Sequence, residues 1–290
     1  MPTFDTPEPI SVTMELGVGA VRIVASDRRD TTVEVLPSDP GANSDVTAAR
    51  QTRVEFDNGH LLIKAPNRWR QYIPRGHSES IDVHIEVPTG SQVRAEGGVA
   101  TFRCSGRLGE CHLKTGVGGI QIDEAGAPVE IKAGAGDISV CRAAGHIDVT
   151  TGVGAVRIDS IGGSAVVKNS NGDTWIGAVT GDLRVKAANG RIVVDHAQAA
   201  VGVKTANGDI RLGEVMRGAV LAETACGTIE VGIRDGVAAW LDLDTRFGTV
   251  QSDLDAAERP EAGQDAVDVR ARTSFGDITV RHAPSARPTR

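Results

Sequence analysis

Six aspartates at regular spacing are the residues of this chain best suited to catalysis. They form two series with an interval of 36 residues, Asp123, Asp159 and Asp195 in one and Asp137, Asp173 and Asp209 in the other. Paired carboxylates can cleave glycosidic bonds when they lie about 5–5.5 Å apart in retaining enzymes or about 6.5–9.5 Å apart in inverting enzymes. Carboxylates two layers apart in a stacked sheet are separated by about 9.6 Å. Since no acidic cluster or aromatic group accompanies them, we interpret the aspartates as solubilising charges and keep a glycan-active enzyme as the least favoured alternative.

Other catalytic and cofactor chemistries have no matching motif. The Gly-x-Gly triplets are not followed by a helix-forming segment, so they do not predict a dinucleotide site. The seven histidines are scattered, and His77 and His84 have no third ligand beside them. The sequence therefore predicts no catalytic residue, no cofactor and no metal ion, and the chain is interpreted as a non-enzyme.

The four cysteines have neither CxxC spacing nor a paired framework. Cys111 falls at the same repeat position as Val129 and Ile147, which predicts a buried thiol. The first residues lack the basic and apolar regions of a signal peptide, and no run of about 18–20 apolar residues could cross a bilayer. These features predict a reduced, cytoplasmic protein without membrane insertion.

A column of lysines recurs through the repeats, at Lys114, Lys132, Lys168, Lys186 and Lys204. Such a ladder could bind a polyanion, but Lys132, Lys168 and Lys204 each precede an aspartate by five residues. The formal net charge of the chain is −7, which disfavours nonspecific nucleic-acid binding. The pattern favours a locally neutralised, solvated edge, so no specific nucleic-acid partner is predicted.

The elements that must position these residues repeat with a period of 18. The period is marked by glycines at 118, 136, 154, 172, 190 and 208, and the surrounding sequence recurs as KTGVGGIQI (114–122), KAGAGDISV (132–140), KNSNGDTWI (168–176) and KTANGDIRL (204–212). A unit this short cannot bury its own apolar face, so copies must stack. Each copy holds two runs of apolar residues two positions apart, such as Ile120 with Ile122, which predicts short strands with one buried face.

The fold class is therefore predicted as all-β. We expect a single-stranded parallel β-helix, or β-solenoid, with 18-residue rungs, wound right-handed as parallel crossovers usually are. The 35 glycines and an aromatic content of 3 % suit a narrow interior with tight corners. Ile138, Val156, Ile192 and Ile210 are expected to be buried, and Lys168, Lys186 and Lys204 to be exposed.

The repeat weakens towards both termini. Glycines 227, 248 and 276 carry the same signature at wider intervals, and residues 17–23 are identical to residues 152–158. We predict degenerate N-terminal rungs with a cap and loop insertions over 1–90, continuous solenoid repeats over 91–282, and a disordered tail over 283–290. One short helix is expected near 44–51, with Ser44 as its cap. The charged segment 254–265 is interpreted as an excursion that protects an edge.

The recurring Gly-Asp-Ile-x-Val signature resembles the bacterial "putative adhesin" family of β-strand-repeat proteins, a domain of unknown function. The opening segment 10–23 is similar to the actinobacterial cytoplasmic branch of that family. The resemblance covers nearly the whole chain and implies a structural motif that specifies rungs. It implies no catalytic residues.

Two places have the composition of a binding surface. The segment 67–75 holds Arg68, Trp69, Arg70, Tyr72 and Arg75 in a chain that has three tryptophans and one tyrosine. Arginine, tryptophan and tyrosine are enriched at binding hot spots, although these aromatic residues could instead pack the segment against the solenoid. Trp175 lies in an outward column with Arg157 and Val193 and is the second candidate for partner contact.

The sequence thus favours a non-catalytic scaffold or binding protein whose partner is another protein. A self-assembling element resembling bactofilins, polymerising through exposed end rungs, is the main alternative. The irregular ends of the repeat favour a monomer or small oligomer over an open filament.

Overall fold

The computed structural model describes residues 2–66, 79–254 and 266–283. The chain divides into two compact units: unit 1 comprises Met1–Gly145 and Thr150–Val153, and unit 2 comprises His146–Val149 and Gly154–Arg290. Both are built almost entirely of β-strands. The predicted domain boundaries at residues 90 and 283 and the right-handed winding stay predictions, and residues 284–290 of the predicted tail lie outside the described residues.

Unit 1 contains the only helix of the described residues. Its elements are β1 (Thr3–Asp5), β2 (Ser11–Ser26), β3 (Asp30–Pro37), α1 (Asn43–Gln51), β4 (Arg53–Asp57), β5 (His60–Lys64), β6 (Ser80–Pro88), β7 (Gln92–Leu108), β8 (Cys111–Val117), β9 (Ile120–Ala125), β10 (Val129–Ala135) and β11 (Ile138–Ala143). The next strand, β12 (Ile147–Val153), contributes residues to both units.

Unit 2 contains thirteen further described strands. They are β13 (Val156–Ile161), β14 (Ala165–Asn171), β15 (Thr174–Val179), β16 (Leu183–Asn189), β17 (Ile192–Ala197), β18 (Val201–Lys204), β19 (Ile210–Val215), β20 (Gly218–Cys226), β21 (Ile229–Ile233), β22 (Ala238–Phe247), β23 (Val250–Ser252), β24 (Ala266–Phe275) and β25 (Ile278–His282).

The regular rungs of both units have the predicted parallel architecture. Strands 18 residues apart pair in parallel, so Ile120 lies beside Ile138 in unit 1 and Ile192 beside Ile210 in unit 2. These residues and Val156 are at most 1 % exposed. The expected exposure of Lys168, Lys186 and Lys204 is also found. The prediction of a parallel β-solenoid with 18-residue rungs is confirmed.

The repeated glycine is required by a tight corner between the two strands of a rung. Gly118 has φ +137°, and a Cβ there would lie 2.1 Å from the carbonyl oxygen of Ala100. Gly190 has φ +130°, and its Cβ would lie 2.2 Å from the carbonyl oxygen of Gly172. Both the backbone angle and the contact with the neighbouring rung exclude a side chain.

A buried polar residue supports the same corner from inside. The hydroxyl of Thr115 donates to the carbonyl of Ala100 at 2.9 Å, and the hydroxyl of Thr224 donates to the carbonyl of Gly208 at 3.1 Å. In one rung of unit 2 the position is taken by Asn169, which is 1 % exposed. Its Nδ2 donates to backbone carbonyls, but its Oδ1 has no hydrogen-bond partner among the described residues.

The outer edge of unit 1 is covered by antiparallel strands. β2 pairs in parallel with β7 on one side and with β5 and β6 on the other. β4 then pairs antiparallel with β5, β3 with β6, and the three-residue β1 with β3. The rings of Phe4 in β1 and Phe56 in β4 stack with centroids 5.0 Å apart. The parallel stack therefore ends here in short antiparallel strands.

Helix α1 packs on this edge against β3 and β6, which confirms the predicted helix. The prediction that Ser44 caps it is wrong: the N-cap is Ala42, which makes no side-chain cap hydrogen bond. The buried Asp45 supplies side-chain hydrogen bonds near the helix start. Its carboxylate accepts hydrogen bonds from the backbone N–H groups of Asp39 and Ser80. The link to Ser80 fastens the helix to β6.

Arg28 joins β3 to β6 on the same edge. Its guanidinium donates two hydrogen bonds to Asp30, at 3.0 and 2.9 Å, and a further one to Glu86. These bonds hold the pKa values of the Asp30 and Glu86 carboxyls below their ordinary range and raise the pKa of Arg28.

The last rungs of unit 2 do not stack in chain order. β20 pairs with β24, and β24 pairs with β22, while β21 pairs with β25, and β25 pairs with β23. The rung formed by 266–282 therefore lies between the rung of 218–233 and the rung of 238–252. We call the rung formed by β22 and β23 the outer rung.

Candidate interaction surfaces

The first predicted contact surface cannot be placed. Arg68, Trp69, Arg70, Tyr72 and Arg75 all lie outside the described residues, as does His77. Their role in partner contact stays a prediction.

The second predicted contact residue, Trp175, is half-buried. It lies in register with Arg157 on one side and Val193 on the other, as the repeat predicts. The Arg157 guanidinium stands 3.9 Å from the centre of the indole ring and also binds the Asp159 carboxylate. A Cβ on Gly177 would lie 2.4 Å from the carbonyl oxygen of Asp159 and 3.1 Å from the indole ring, so both the neighbouring backbone and the ring exclude a side chain there. These contacts use part of the indole surface for packing within the unit.

Several aspartates of the repeat have structural roles. The carboxylates of Asp173 and Asp209 accept the backbone N–H of the following rung, from Arg191 at 2.8 Å and from Thr228 at 2.9 Å. Lys204 binds Glu223 at 2.9 Å, so its predicted neutralisation by Asp209 is wrong. The signature aspartate follows glycine because it fastens the corner of one rung to the next.

The cysteines divide into two buried and two exposed thiols. Cys104 and Cys111 are buried, which confirms the prediction for Cys111, and Cys141 and Cys226 are exposed. Burial raises the pKa of Cys111 to about 12 and that of Cys104 further. All four are free thiols. Within the described ranges, no group of three His, Cys, Asp or Glu side chains could hold a metal ion.

A groove of about 730 Å³ runs along the corner of the rungs in unit 1. Its floor is backbone, because glycines 17, 98, 116 and 134 follow one another in successive rungs. One rim is charged: Lys114 lies 3.8 Å from Glu96, and Lys132 is the register partner of Lys114 on the neighbouring rung. A glycine floor lets another chain approach the backbone closely.

Exposed valines lie one residue beyond the groove floor. Val99, Val117 and Val153 are 50, 51 and 54 % exposed, and we call them the valine face. Val99 and Val117 are register partners, and Ala135 continues the column. The sequence reasoning missed this surface, although the residue just before glycines 118, 136 and 154 is apolar at intervals of 18.

The same column is polar in unit 2. Asn189 donates from Nδ2 to Oδ1 of Asn171 at 2.8 Å, and Asn207 donates to Asn189 at 2.9 Å. After Cys226 the column ends in Phe275 and Phe247, whose exposed rings stack 4.9 Å apart. The column is thus apolar in the rungs of unit 1, polar at the three asparagines of unit 2 and apolar again at the two phenylalanines, so its character does not follow from the repeat.

The outer rung of unit 2 exposes residues that are buried elsewhere. Leu241 and Val250 are 36 and 47 % exposed. Their register partners in the adjacent rung of 266–282, Val269 and Ile278, are fully buried. Among the described residues, β22 pairs with β24 and with no other strand. The interior column of the solenoid therefore opens to solvent at this rung.

Among the described residues, no helix is long and apolar enough to cross a membrane.

Comparison with known proteins identifies the family. Residues 10–281 match the family model described as Toastrack DUF4097, a domain of unknown function. Similar solved structures are a "putative cell adhesion protein" from Clostridium sporogenes (11 % identity over 97 % of this chain and 98 % of that chain, TM-score 0.26), a "putative adhesin" from Bacteroides fragilis (12 %, 97 % and 96 %, TM-score 0.32) and a "putative adhesin" from Parabacteroides merdae (12 %, 98 % and 95 %, TM-score 0.36). No curated protein matches the sequence. Because the match covers most of this chain, the chain belongs to the Toastrack DUF4097 family.

Proposed function

We propose that this chain is a non-catalytic β-solenoid scaffold that binds a protein partner through the valine face and its groove. The observation that carries the proposal is the exposure of Val99, Val117 and Val153 beside a glycine-floored groove. Outward positions of a solvated strand are usually polar, so three half-exposed valines in one column form a contact surface. Covering them stabilises a complex by about 25 cal/mol per Å² of apolar area removed from water.

The charged rim of the groove supplies orientation. Glu96, Lys114 and Lys132 are register partners, so charges of both signs form one line beside the glycine floor. Such a rim steers and aligns a partner more than it adds affinity. A polypeptide with apolar side chains and a mixed-charge border matches this chemistry.

The proposal is tested by converting the valine face to threonine. Val99→Thr, Val117→Thr and Val153→Thr together keep the side-chain shape and the strand preference. The matched control replaces Asn171, Asn189 and Asn207, which occupy the same column of unit 2, by threonine. Partners are captured by crosslinked co-purification from the native host and quantified. We expect capture to fall at least tenfold for the valine variant only; equal capture by the two variants contradicts the valine face as the contact surface.

The predicted contact residues Arg68, Trp69, Arg70, Tyr72, Arg75 and Trp175 form a second part of this proposal. Replacing Arg68, Arg70 and Arg75 with serine, with Trp69 and Tyr72 intact, should reduce partner recovery while stability changes by less than about 1 kcal/mol. Unaltered recovery would exclude the three arginines from the contact and move the search to the Trp175 face.

The outer rung of unit 2 favours self-assembly as a second candidate function. An uncovered strand edge with apolar side chains is a template for pairing with another chain. The bactofilin-like alternative requires such an edge, and electron micrographs of the full chain would show fibres if growth were open-ended.

A cytoplasmic location is also part of the proposal. The support is the set of four free thiols, a state that reducing compartments maintain. Fractionation of the native host, with the chain detected by antibody, tests this location.

A further inference from the structure

The outer rung of unit 2 ends the sheet with a ten-residue strand. β22 carries an alternating set of side chains: Leu241 and Leu243 continue the interior column, and Asp242 and Asp244 point outward beside Arg270 and Arg272 of β24. The backbone groups of β22 that face away from β24 have no strand partner among the described residues. Long apolar edge strands of this kind are normally blunted or covered.

We propose that the outer rung pairs with the outer rung of a second copy of this chain, with the two β22 strands antiparallel about a two-fold axis. The proposal goes beyond the binding function, because it concerns unit 2 and leaves the valine face free. A two-fold axis perpendicular to the sheet keeps inward residues opposite inward residues. The open interior column of one copy would therefore meet the open column of the other and be removed from water.

Charge complementarity supports a second copy as the occupant. A pairing centred on Asp244 places Asp242 opposite Arg246 of the second copy, and this pair occurs twice because the interface is isologous. Opposite charges directly across a strand pair are favourable. The two Asp244 side chains meet at the centre; Arg272 of the same copy lies in register with Asp244 and pairs with Asp242 at 3.4 Å. Leu241 faces Phe247 of the second copy, so exposed apolar groups cover each other.

The segments that follow the described strands are poor in apolar side chains, and 255–265, predicted to protect an edge, lies outside the described residues. Residues 255–265 read DAAERPEAGQD, whose apolar side chains are three alanines and one proline. The final residues 284–290 read PSARPTR. Neither contains a branched aliphatic or an aromatic residue comparable to the exposed Leu241 and Val250.

The covered edge of unit 1 argues for a closed dimer. There the parallel stack is overlaid by β1, β3, β4 and α1, so an outer rung finds no matching open column on another copy's unit 1. A head-to-tail contact would generate an open filament, whereas a two-fold contact closes after two copies.

The proposal is tested by light scattering on the purified full chain from 1 to about 100 μM, a range chosen to span micromolar affinities. We expect the mass of two chains for the natural sequence. Leu241→Lys with Leu243→Lys places inward charges on the edge and should give the mass of one chain. The matched control is Leu221→Lys, because Leu221 is exposed on β20 but lies off the edge; it should stay dimeric. Circular dichroism confirms that each variant is folded.

A charge-exchange cycle tests the register. Arg246→Asp alone should weaken the dimer at least tenfold, because it creates two like-charge pairs. Adding Asp242→Arg should restore part of the loss, since the new arginine also meets Arg272, the partner of Asp242 within the copy. A single-chain mass for the natural sequence at the highest concentration would overturn the proposal. A mass that keeps rising with concentration would overturn the two-fold pairing. A double exchange that restores none of the affinity lost in Arg246→Asp would overturn the register. Neither result bears on partner capture by the valine face.

Discussion

The outer edge of unit 1 and the outer rung of unit 2 solve the same problem differently. Both terminate a stack of parallel strands, where backbone groups and an interior column would otherwise face water. In unit 1 the terminal strands are short and antiparallel, β4 carries alternating charges, and a helix lies on top. In unit 2 the edge strand β22 is ten residues long, and the outer rung leaves Leu241 and Val250 exposed.

The difference shows that termination does not follow from the repeat. The rung itself specifies pairing on both of its sides, so an end needs residues that break the pattern. Unit 1 supplies them with Asp45, Arg28 and the charged β4, whereas the outer rung keeps the rung pattern to its last described residue. A strand edge that keeps the rung pattern can still pair with another strand.

The largest expected effect compares the same column in a closed rung and in the outer rung. Ile192 is fully buried, so Ile192→Asp should destabilise the chain by about 4 kcal/mol or more, because it buries an unpaired charge. Val250 continues that column through Ile278 at 47 % exposure, and Val250→Asp should cost about 1 kcal/mol or less. Urea denaturation followed by circular dichroism measures both, at a chain concentration where light scattering gives the mass of one chain, so that no second copy covers Val250. Equal losses in the single chain would contradict the exposure of Val250.

A second prediction concerns acid sensitivity at the closed edge of unit 1. The pKa values of Asp30 and Glu86 are lowered by Arg28, so their contribution is present above the ordinary carboxyl range and is lost as pH falls through the lowered values. The protection factors of β3 amides, which correct exchange for its intrinsic dependence on pH, should therefore fall on acidification below about pH 4. Arg28→Gln should lower these protection factors at neutral pH and make them less dependent on pH. Lys64→Gln, which removes the exposed pair with Glu15, serves as control and should leave β3 unchanged.

A smaller effect is expected at the buried Asn169. Asn169→Thr removes an amide oxygen that has no partner among the described residues and introduces the hydroxyl found at Thr115 and Thr224. We expect a gain of about 1 kcal/mol in the free energy of unfolding. The contrasting change, Thr245→Asn in the outer rung, should be nearly neutral because water can reach that position. A loss of stability on Asn169→Thr would show that the amide has a further role.

The smallest effect is on thiol reactivity. Cys104 and Cys111 are buried with raised pKa values, whereas Cys141 and Cys226 are exposed. A maleimide at neutral pH should modify Cys141 and Cys226 rapidly and leave the buried pair intact until the chain unfolds. Mass spectrometry of digests identifies the labelled residues, and rapid labelling of Cys111 in the folded chain would contradict its position in the core.

The rungs could be predicted because their chemistry is local and periodic. Apolar residues two apart, such as Ile120 and Ile122, and a glycine every 18 residues allow one stacked arrangement. The order of the last rungs could not be predicted in this way. The segments around Gly248 and Gly276 carry the same signature, and nothing in their side chains ranks one closer to β20 than the other. The helix was predicted, but its start depends on Asp45 contacting β6, a tertiary contact that local capping rules do not include.

The candidate sites show the same limit. The column of Arg157, Trp175 and Val193 follows from the period and is confirmed in register. How much of the Trp175 side chain is covered depends on its contacts with Arg157 and Gly177. The residue type alone does not predict these contacts. The valine face was detectable in the sequence, since Val99, Val117 and Val153 share one repeat position.

The interleaved order of β20, β24 and β22 has a consequence for synthesis on the ribosome. Residues 238–252 emerge before residues 266–282, so the nascent chain holds the future outer rung while the place beside β20 is empty. The two rungs share a pattern, and β22 can occupy that place first. The mature order then forms only if β22 leaves and β24 enters, so assembly is not the simple N-to-C addition of neighbours usual in repeat proteins. A chain that stops at residue 254 would therefore be a different stack and not the native one with a rung removed.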